Sequence, residues 1–122
     1  MSKGAVLVDW RDDVAVLTLN RPERRNAVDL ASLQLIRDAQ VEAEKRKVRA
    51  LVLTGAAPAF CAGADLAGVR EEVFHEMLNE VLRGFTQLPC VTIAAIDGPA
   101  LGAGAQLVVA RDVRVATPTS VI

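Results

Sequence analysis

The sequence predicts an α/β fold, and three of its features lead to that prediction. Strand-like and helical segments alternate from residue 50 onward. Residues 48–54 are apolar without alternation, which is typical of a strand covered on both faces, so helices are expected to flank the sheet. A strand, a loop of small residues and a helix then occur twice in similar form, within residues 51–66 and 93–107.

The composition narrows the class of protein. A chain of 122 residues is the size of one ordinary domain. Fourteen Lys and Arg against fifteen Asp and Glu give a net charge of −1, and so no basic field that would indicate a nucleic-acid partner. The two cysteines have no metal-ligand spacing, and residues 1–4 lead into a strand without resembling a signal peptide. We therefore expect a reduced, cytoplasmic protein with no metal site.

The first half of the chain predicts a hairpin and a helix. Residues 5–10 and 14–19 are β-rich and are separated by the turn 11–13. Residues 20–27 form a loop with three arginines around a proline. Asp29 is placed as an N-cap for a helix of about four turns, which ends near the basic residues 45–47.

The second half predicts strands at 48–54, 91–96 and 113–116. Asp65 lies where it could accept from free N–H groups after the small-residue loop. An apolar stripe at helical spacing predicts a helix before the break at 87–89, and consists of Val69, Val73, Phe74, Met77, Leu78, Val81, Leu82 and Phe85. A short helix is expected to end near Ala110, and a loop begins at Thr117.

Several features have an alternative interpretation. Residues 91–110 carry one charge, so a membrane span is an alternative to strand plus helix, but Asp97, Pro99 and Gln106 would be costly in lipid. Neither phosphate-binding glycine pattern of nucleotide sites is present. His75 is interpreted as a helix-surface residue, with catalysis as the alternative, and Cys61 as a small packing residue.

Two loops of small residues indicate an anion site. Gly102, Ala103 and Gly104 open a helix, so the first N–H groups there lack helical partners and no large side chain covers them. Residues 60–66 repeat the design. Side by side, such loops would supply two converging donors for a developing oxyanion on a thioester. The arginines of residues 20–27 are either an ordinary solvated loop or a phosphate site.

Three ordered motifs resemble the enoyl-CoA hydratase/isomerase (crotonase) superfamily. They are LNRPERRNA at 19–27, FCAGADL at 60–66 and DGPALGAG at 97–104. The resemblance implies a spiral of repeated ββα units, of which residues 1–122 would be the N-terminal part, with a C-terminal helical region absent from this sequence. It also implies a CoA thioester ligand, no other cofactor, and a homotrimer or hexamer if the chain is complete.

The resemblance assigns site residues by position. The backbone N–H groups of Ala62 and Ala103 would be the oxyanion donors. CoA would lie along Arg24, Arg25, Ala27, Ala62, Gly63, Ala64, Asp65 and Leu66.

The chain departs from the family at a catalytic position. Hydratases of this family move protons with two glutamates, one at the position of Gln106 and one beyond Ile122. An amide cannot act as a general base. Three functions are therefore open: acyl-CoA binding in fatty acid metabolism with little hydratase activity, active hydration of trans-2-enoyl-CoA, and an inert fragment of a longer chain.

Overall fold

The computed structural model describes residues 4–122 and forms one five-stranded sheet with three α-helices. The predicted run of residues 1–3 into the first strand lies outside the described residues. The strands are β1 (Val6–Arg11), β2 (Val14–Leu19), β3 (Ala50–Gly55), β4 (Val91–Ile96) and β5 (Val113–Ala116), and the helices are α1 (Leu30–Arg46), α2 (Glu71–Gln87) and α3 (Ala103–Val109). The predicted α/β class and every predicted element are confirmed.

The sheet has the order β1-β2-β3-β4-β5. β1 and β2 form the predicted antiparallel hairpin, and the remaining neighbours are parallel. Beyond the carboxyl ends of the parallel strands the chain pairs again through single parallel bridges, which join Val28 to Ala64, Cys61 to Ala100 and Pro99 to Val121. Each turn of chain thus supplies a long strand, a short bridging segment and a helix, as the ββα description requires.

The core lies on one face of the sheet. Leu51 and Leu53 of β3 are fully buried, but Val52 and Thr54, which point to the other face, are only half-buried. The prediction that this strand is covered on both faces is therefore wrong for the described residues. The strands follow one another in sequence across the sheet, and crossovers of one hand place successive helices on the same side.

The first helix is capped at both ends by the residues that the sequence indicated. Asp29 Oδ1 accepts from the N–H of Ser32 at 2.8 Å, which is N-capping geometry. Lys47 ends the helix in a left-handed conformation with φ of 55°, and its N–H donates to the Ala43 carbonyl. Burial raises the pKa of Asp29, but hydrogen bonds from Ser32 and the charge of Arg21 outweigh it, so the net pKa shift is downward.

The apolar stripe of α2 packs against the core, with one exception. Phe74, Leu78, Val81 and Phe85 are buried, whereas Val73 is 42% exposed. The predicted stripe is therefore too wide at Val73, which faces an open cleft between α1 and α2 instead of the sheet, and it starts too early, because Val69 precedes the start of α2 at Glu71. Among residues 4–122, no helix is long and apolar enough to cross a membrane. The segment 91–110 is strand β4, a turn and α3, as expected.

Candidate functional site

The candidate site is formed by loops at the carboxyl ends of the parallel strands, the usual position of ligand sites in such sheets. We call residues 20–27 the arginine loop, 60–66 the donor loop and 97–102 the glycine turn. The donor loop and the glycine turn pair directly: the N–H groups of Phe60 and Cys61 donate to the Pro99 carbonyl at 3.0 and 3.1 Å, and the Leu101 N–H donates to the Cys61 carbonyl at 2.9 Å. The predicted side-by-side arrangement of these loops is thus present.

Two glycines permit this close approach. A Cβ atom on Gly104 would collide with the backbone carbonyl of Cys61, so α3 can lie against the donor loop only without a side chain there. Gly102 adopts φ of 55° and ψ of −121°, a region that L-residues rarely occupy, and it sends the chain into α3. Both positions explain why the helix opens with small residues.

Two backbone N–H groups that lack an acceptor among the described residues bear on the function of this region, one in the donor loop and one directly after the glycine turn. Within residues 4–122, neither the Ala103 N–H nor the Ala64 N–H has a hydrogen-bond acceptor. Ala64 is also exposed. In the bridge to Val28, the Val28 N–H donates to the Gly63 carbonyl at 2.9 Å, and the Asp65 N–H donates to the Val28 carbonyl at 2.8 Å. The N–H of Ala64 lies between these two hydrogen bonds and takes part in neither, so it has no acceptor in the described chain.

The N–H of Ala62, which the resemblance assigned as a donor to the oxyanion, is occupied. It donates to the carbonyl of Arg25 at 3.0 Å. A donor with a good internal acceptor is not available to a ligand oxygen without breaking that bond. The structure therefore argues against Ala62 as an oxyanion donor, and Ala64, two residues later, has the free group.

Among the three arginines of the arginine loop, one has a structural role. Arg21 is largely buried, donates to the Ala27 carbonyl at 2.7 Å, and pairs with the Asp65 carboxylate at 3.0 Å. The hydrogen bond from Arg21 is the largest cause of the lowered pKa of Asp65. Arg24 and Arg25 are exposed, and neither forms an ion pair with another residue of the described chain. Only these two guanidinium groups of the loop are available to an anion.

The remaining predicted CoA-binding residues lie in two loops that are joined by a bridge. The bridge from Val28 to Ala64 joins the arginine loop to the donor loop. Ala27 and Ala62 are half-buried, Gly63 is buried, and Leu66 is 38% exposed. The structure thus brings together the residues that the resemblance assigned to CoA.

Asn26 is a polar residue of the site region that sequence reasoning did not single out. It is 1% exposed and has φ of 60°. Its side-chain amide donates to the carbonyls of Ala56 and Ala59 at 2.6 and 2.7 Å and accepts from the Arg21 N–H at 2.8 Å. The sequence held one indication, since Asn is among the few non-glycine residues that tolerate a left-handed conformation.

Gln106 lies in the first turn of α3, three residues after Ala103, and therefore on the same side of the helix. Its side chain is exposed and has no hydrogen-bond partner among residues 4–122.

The other candidate residues offer no catalytic group. His75 lies on the exposed surface of α2, with its Nε2 atom 3.5 Å from Oε2 of Glu71. Burial raises the pKa of the Cys61 thiol, which makes it a poor nucleophile. No cluster of His, Cys, Asp or Glu within the described part of the chain could hold a metal ion.

Known proteins resemble this chain in sequence and in fold. Residues 9–122 match the model of the enoyl-CoA hydratase/isomerase family. The chain belongs to the enoyl-CoA hydratase/isomerase family. It is 42% identical over 122 residues to "Probable enoyl-CoA hydratase EchA14" of Mycobacterium tuberculosis, covering 94% of this chain and 48% of that protein. It is 43% identical over 107 residues to "Probable enoyl-CoA hydratase echA6" of Mycobacterium bovis, covering 85% of this chain and 44% of that protein.

Solved structures of the family have the same fold. The crystal structure of an enoyl-CoA hydratase from Mycobacterium smegmatis superposes with a TM-score of 0.91 at 35% identity, over 97% of this chain and 49% of that one. An enoyl-CoA hydratase from Bacillus anthracis gives 0.87 at 37% identity, over 96% and 49%. The crotonase-like fold is thereby confirmed. The chain spans less than half the length of these two solved structures and of the two curated relatives above.

Proposed function

We propose that this chain forms the thioester-binding part of an acyl-CoA-binding protein of the enoyl-CoA hydratase/isomerase family, acting in fatty acid metabolism. The observation that supports this most directly is that the N–H groups of Ala64, in the donor loop, and of Ala103, directly after the glycine turn, have no acceptor within the described residues, while the donor loop and the glycine turn hydrogen-bond to each other. Two such donors meeting one thioester oxygen would stabilise the negative charge that collects there. Ala64 replaces Ala62 in this role because the Ala62 N–H already has an acceptor.

The CoA moiety is proposed to lie across the arginine loop and the donor loop. Arg24 and Arg25 are exposed and form no ion pair with a described residue, so they can attract the CoA phosphates. Ala27 and residues 62–66 would contact the rest of CoA. Arg21 and Asp65 neutralise each other and would shape this surface instead of attracting charge.

Gln106 determines which chemistry the site can perform. It is exposed, unpaired within the described residues, and on the same side of α3 as the Ala103 N–H. Its amide can orient a water molecule or a substrate oxygen but cannot take a proton. Loss of a general acid or base costs roughly 10²–10⁴-fold in rate, so binding without efficient hydration is the expected behaviour.

Active hydration of an enoyl-CoA is the second candidate, because the relatives compared above are named enoyl-CoA hydratases. It requires a proton-transfer group other than Gln106. A cytoplasmic location and a trimer or hexamer stay predictions that rest on the composition and on the family resemblance.

One experiment separates the two functions. Crotonyl-CoA is mixed with a high concentration of the protein, the enone absorbance is followed with an ordinary hydratase as control, and binding is measured by titration. We expect saturable binding without sustained loss of absorbance. Sustained turnover would establish hydration instead, and absence of both binding and turnover would refute a thioester site.

A further inference from the structure

The buried side chain of Asn26 connects the arginine loop to the segment that leads into the donor loop. It donates to the carbonyls of Ala56 and Ala59, at 2.6 and 2.7 Å, and accepts from the Arg21 N–H at 2.8 Å. These contacts use both N–H donors of the amide and its oxygen. At 1% exposure, the side chain has almost no access to water that could replace them.

Asn26 lies between the two points at which the arginine loop holds the donor loop. On one side, the carbonyl of Arg25 accepts from the Ala62 N–H at 3.0 Å. On the other, Val28 forms the bridge to Ala64. Because residues 25 and 26 both have positive φ, of 51° and 60°, the backbone turns sharply between these two contacts.

We propose that Asn26 is a positioning residue for the oxyanion donor. By fixing the turn, it presents the Arg25 carbonyl to the Ala62 N–H and leaves the Ala64 N–H free and pointing outward. Asn26 itself does not touch the ligand. The effect of Asn26 on ligand binding rests on the proposed thioester site, whereas its effect on the hydrogen bonds of the donor loop does not.

The residue type fits this role closely. A left-handed backbone is tolerated by Gly, Asn and Asp. Of these, only Asn has two N–H donors for the carbonyls of residues 56 and 59 together with an acceptor for the N–H of residue 21. The substitution Asn26→Asp would keep the size and the acceptor but lose both donors, and two carbonyl groups would lose a partner.

The test compares Asn26→Asp and Asn26→Ala with a control, Leu78→Ala. Leu78 is 3% exposed in α2, so its truncation destabilises the core without a change in either loop. The first readout is the hydrogen-exchange rate of the Ala62 amide, which needs no ligand. We expect the rate to rise by about tenfold or more in both Asn26 variants, relative to the rate expected from global stability alone, as the bond to Arg25 is lost. The control should show only the global effect.

The second readout is the absorbance shift of a conjugated enoyl thioester such as cinnamoyl-CoA when it binds, which reports how strongly donors polarise its carbonyl. We expect the Asn26 variants to lose most of the shift while the dissociation constant rises by less than about tenfold, because the phosphate contacts of Arg24 and Arg25 come from side chains. Leu78→Ala should keep the shift.

The outcomes separate this inference from the proposed function. Unchanged Ala62 exchange, or an unchanged absorbance shift on ligand that is bound, would overturn the positioning role. Loss of all binding in the Asn26 variants alone would also overturn it, since Asn26 would then organise the whole site. If the unmodified protein binds no thioester, the proposed function fails, and the exchange rates still decide whether Asn26 orients the donor loop.

Discussion

Replacement of both exposed arginines of the arginine loop is expected to weaken acyl-CoA binding in a salt-dependent way. Arg24 and Arg25 are exposed to water and form no ion pair with a described residue, so the dielectric constant of water applies to their attraction for phosphate. At a separation of about 4 Å, each charge pair contributes about 1 kcal/mol. The double variant Arg24→Ala/Arg25→Ala should therefore lose about 2 kcal/mol, or roughly 30-fold in affinity, at low salt.

High salt should remove most of this difference. The Debye length falls from about 30 Å at 0.01 M to about 3 Å at 1 M salt, which reduces the attraction across 4 Å to about a quarter. The variant should then bind only about twofold more weakly than the unmodified protein. Isothermal titration with an acyl-CoA at both salt concentrations measures the two differences.

A matched control keeps the overall charge the same. Arg49→Ala/Arg83→Ala removes two other exposed arginines that form no ion pair with any described residue, so each double variant changes the net charge from −1 to −3. Arg49 precedes β3, at the opposite end of the sheet from the loops. An equal loss of affinity in this control, or a loss in the test variant that salt does not reduce, would refute a phosphate site at Arg24 and Arg25.

Three other predictions follow from the same structure. Gln106→Glu should increase hydration of crotonyl-CoA only where a second acid is available, and a large rise in a preparation of this chain alone, measured by loss of enone absorbance, would disprove the two-acid argument. Gly104→Val should abolish acyl-CoA binding and lower the melting temperature, because its side chain would collide with the Cys61 carbonyl; a variant that binds and melts normally would exclude that close contact. Because the pKa of Asp29 is lowered by folding, the charged form stabilises the protein above the unfolded pKa of about 3.9, and this stability is lost as the pH falls through the folded value. Asn is as good an N-cap as Asp, so Asp29→Asn removes the charge and keeps the cap. The melting temperature of this variant should lie below that of the unmodified protein near pH 7 and approach it near pH 3. A difference that stays constant with pH would show that the charge has no role.

Local pattern was sufficient for most of the fold. The hairpin 6–19, the N-cap at Asp29, the helix end at Lys47 and the division of residues 91–110 into strand and helix were all predicted, because each depends on neighbouring residues. The prediction failed where packing against residues distant in the chain determines burial. An apolar strand such as β3 looks the same whether one or both faces are covered, and the placement of the helices on one side left Val52 and Thr54 only half-buried on the other.

The sequence by itself determined the order of elements, the three family motifs and the small residues that let the donor loop and the glycine turn meet. Only the tertiary structure decided which N–H groups are free. Residues 62 and 64 are both alanine, so the sequence does not distinguish their N–H groups. In the structure the Ala62 N–H donates to the Arg25 carbonyl, whereas the bridge to Val28 leaves the Ala64 N–H without an acceptor among the described residues. The same holds for Arg21, which pairs with Asp65 while Arg24 and Arg25 stay exposed. A hydrogen bond or ion pair depends on the distance between two groups, and for groups more than thirty residues apart along the chain that distance is set by the folded backbone.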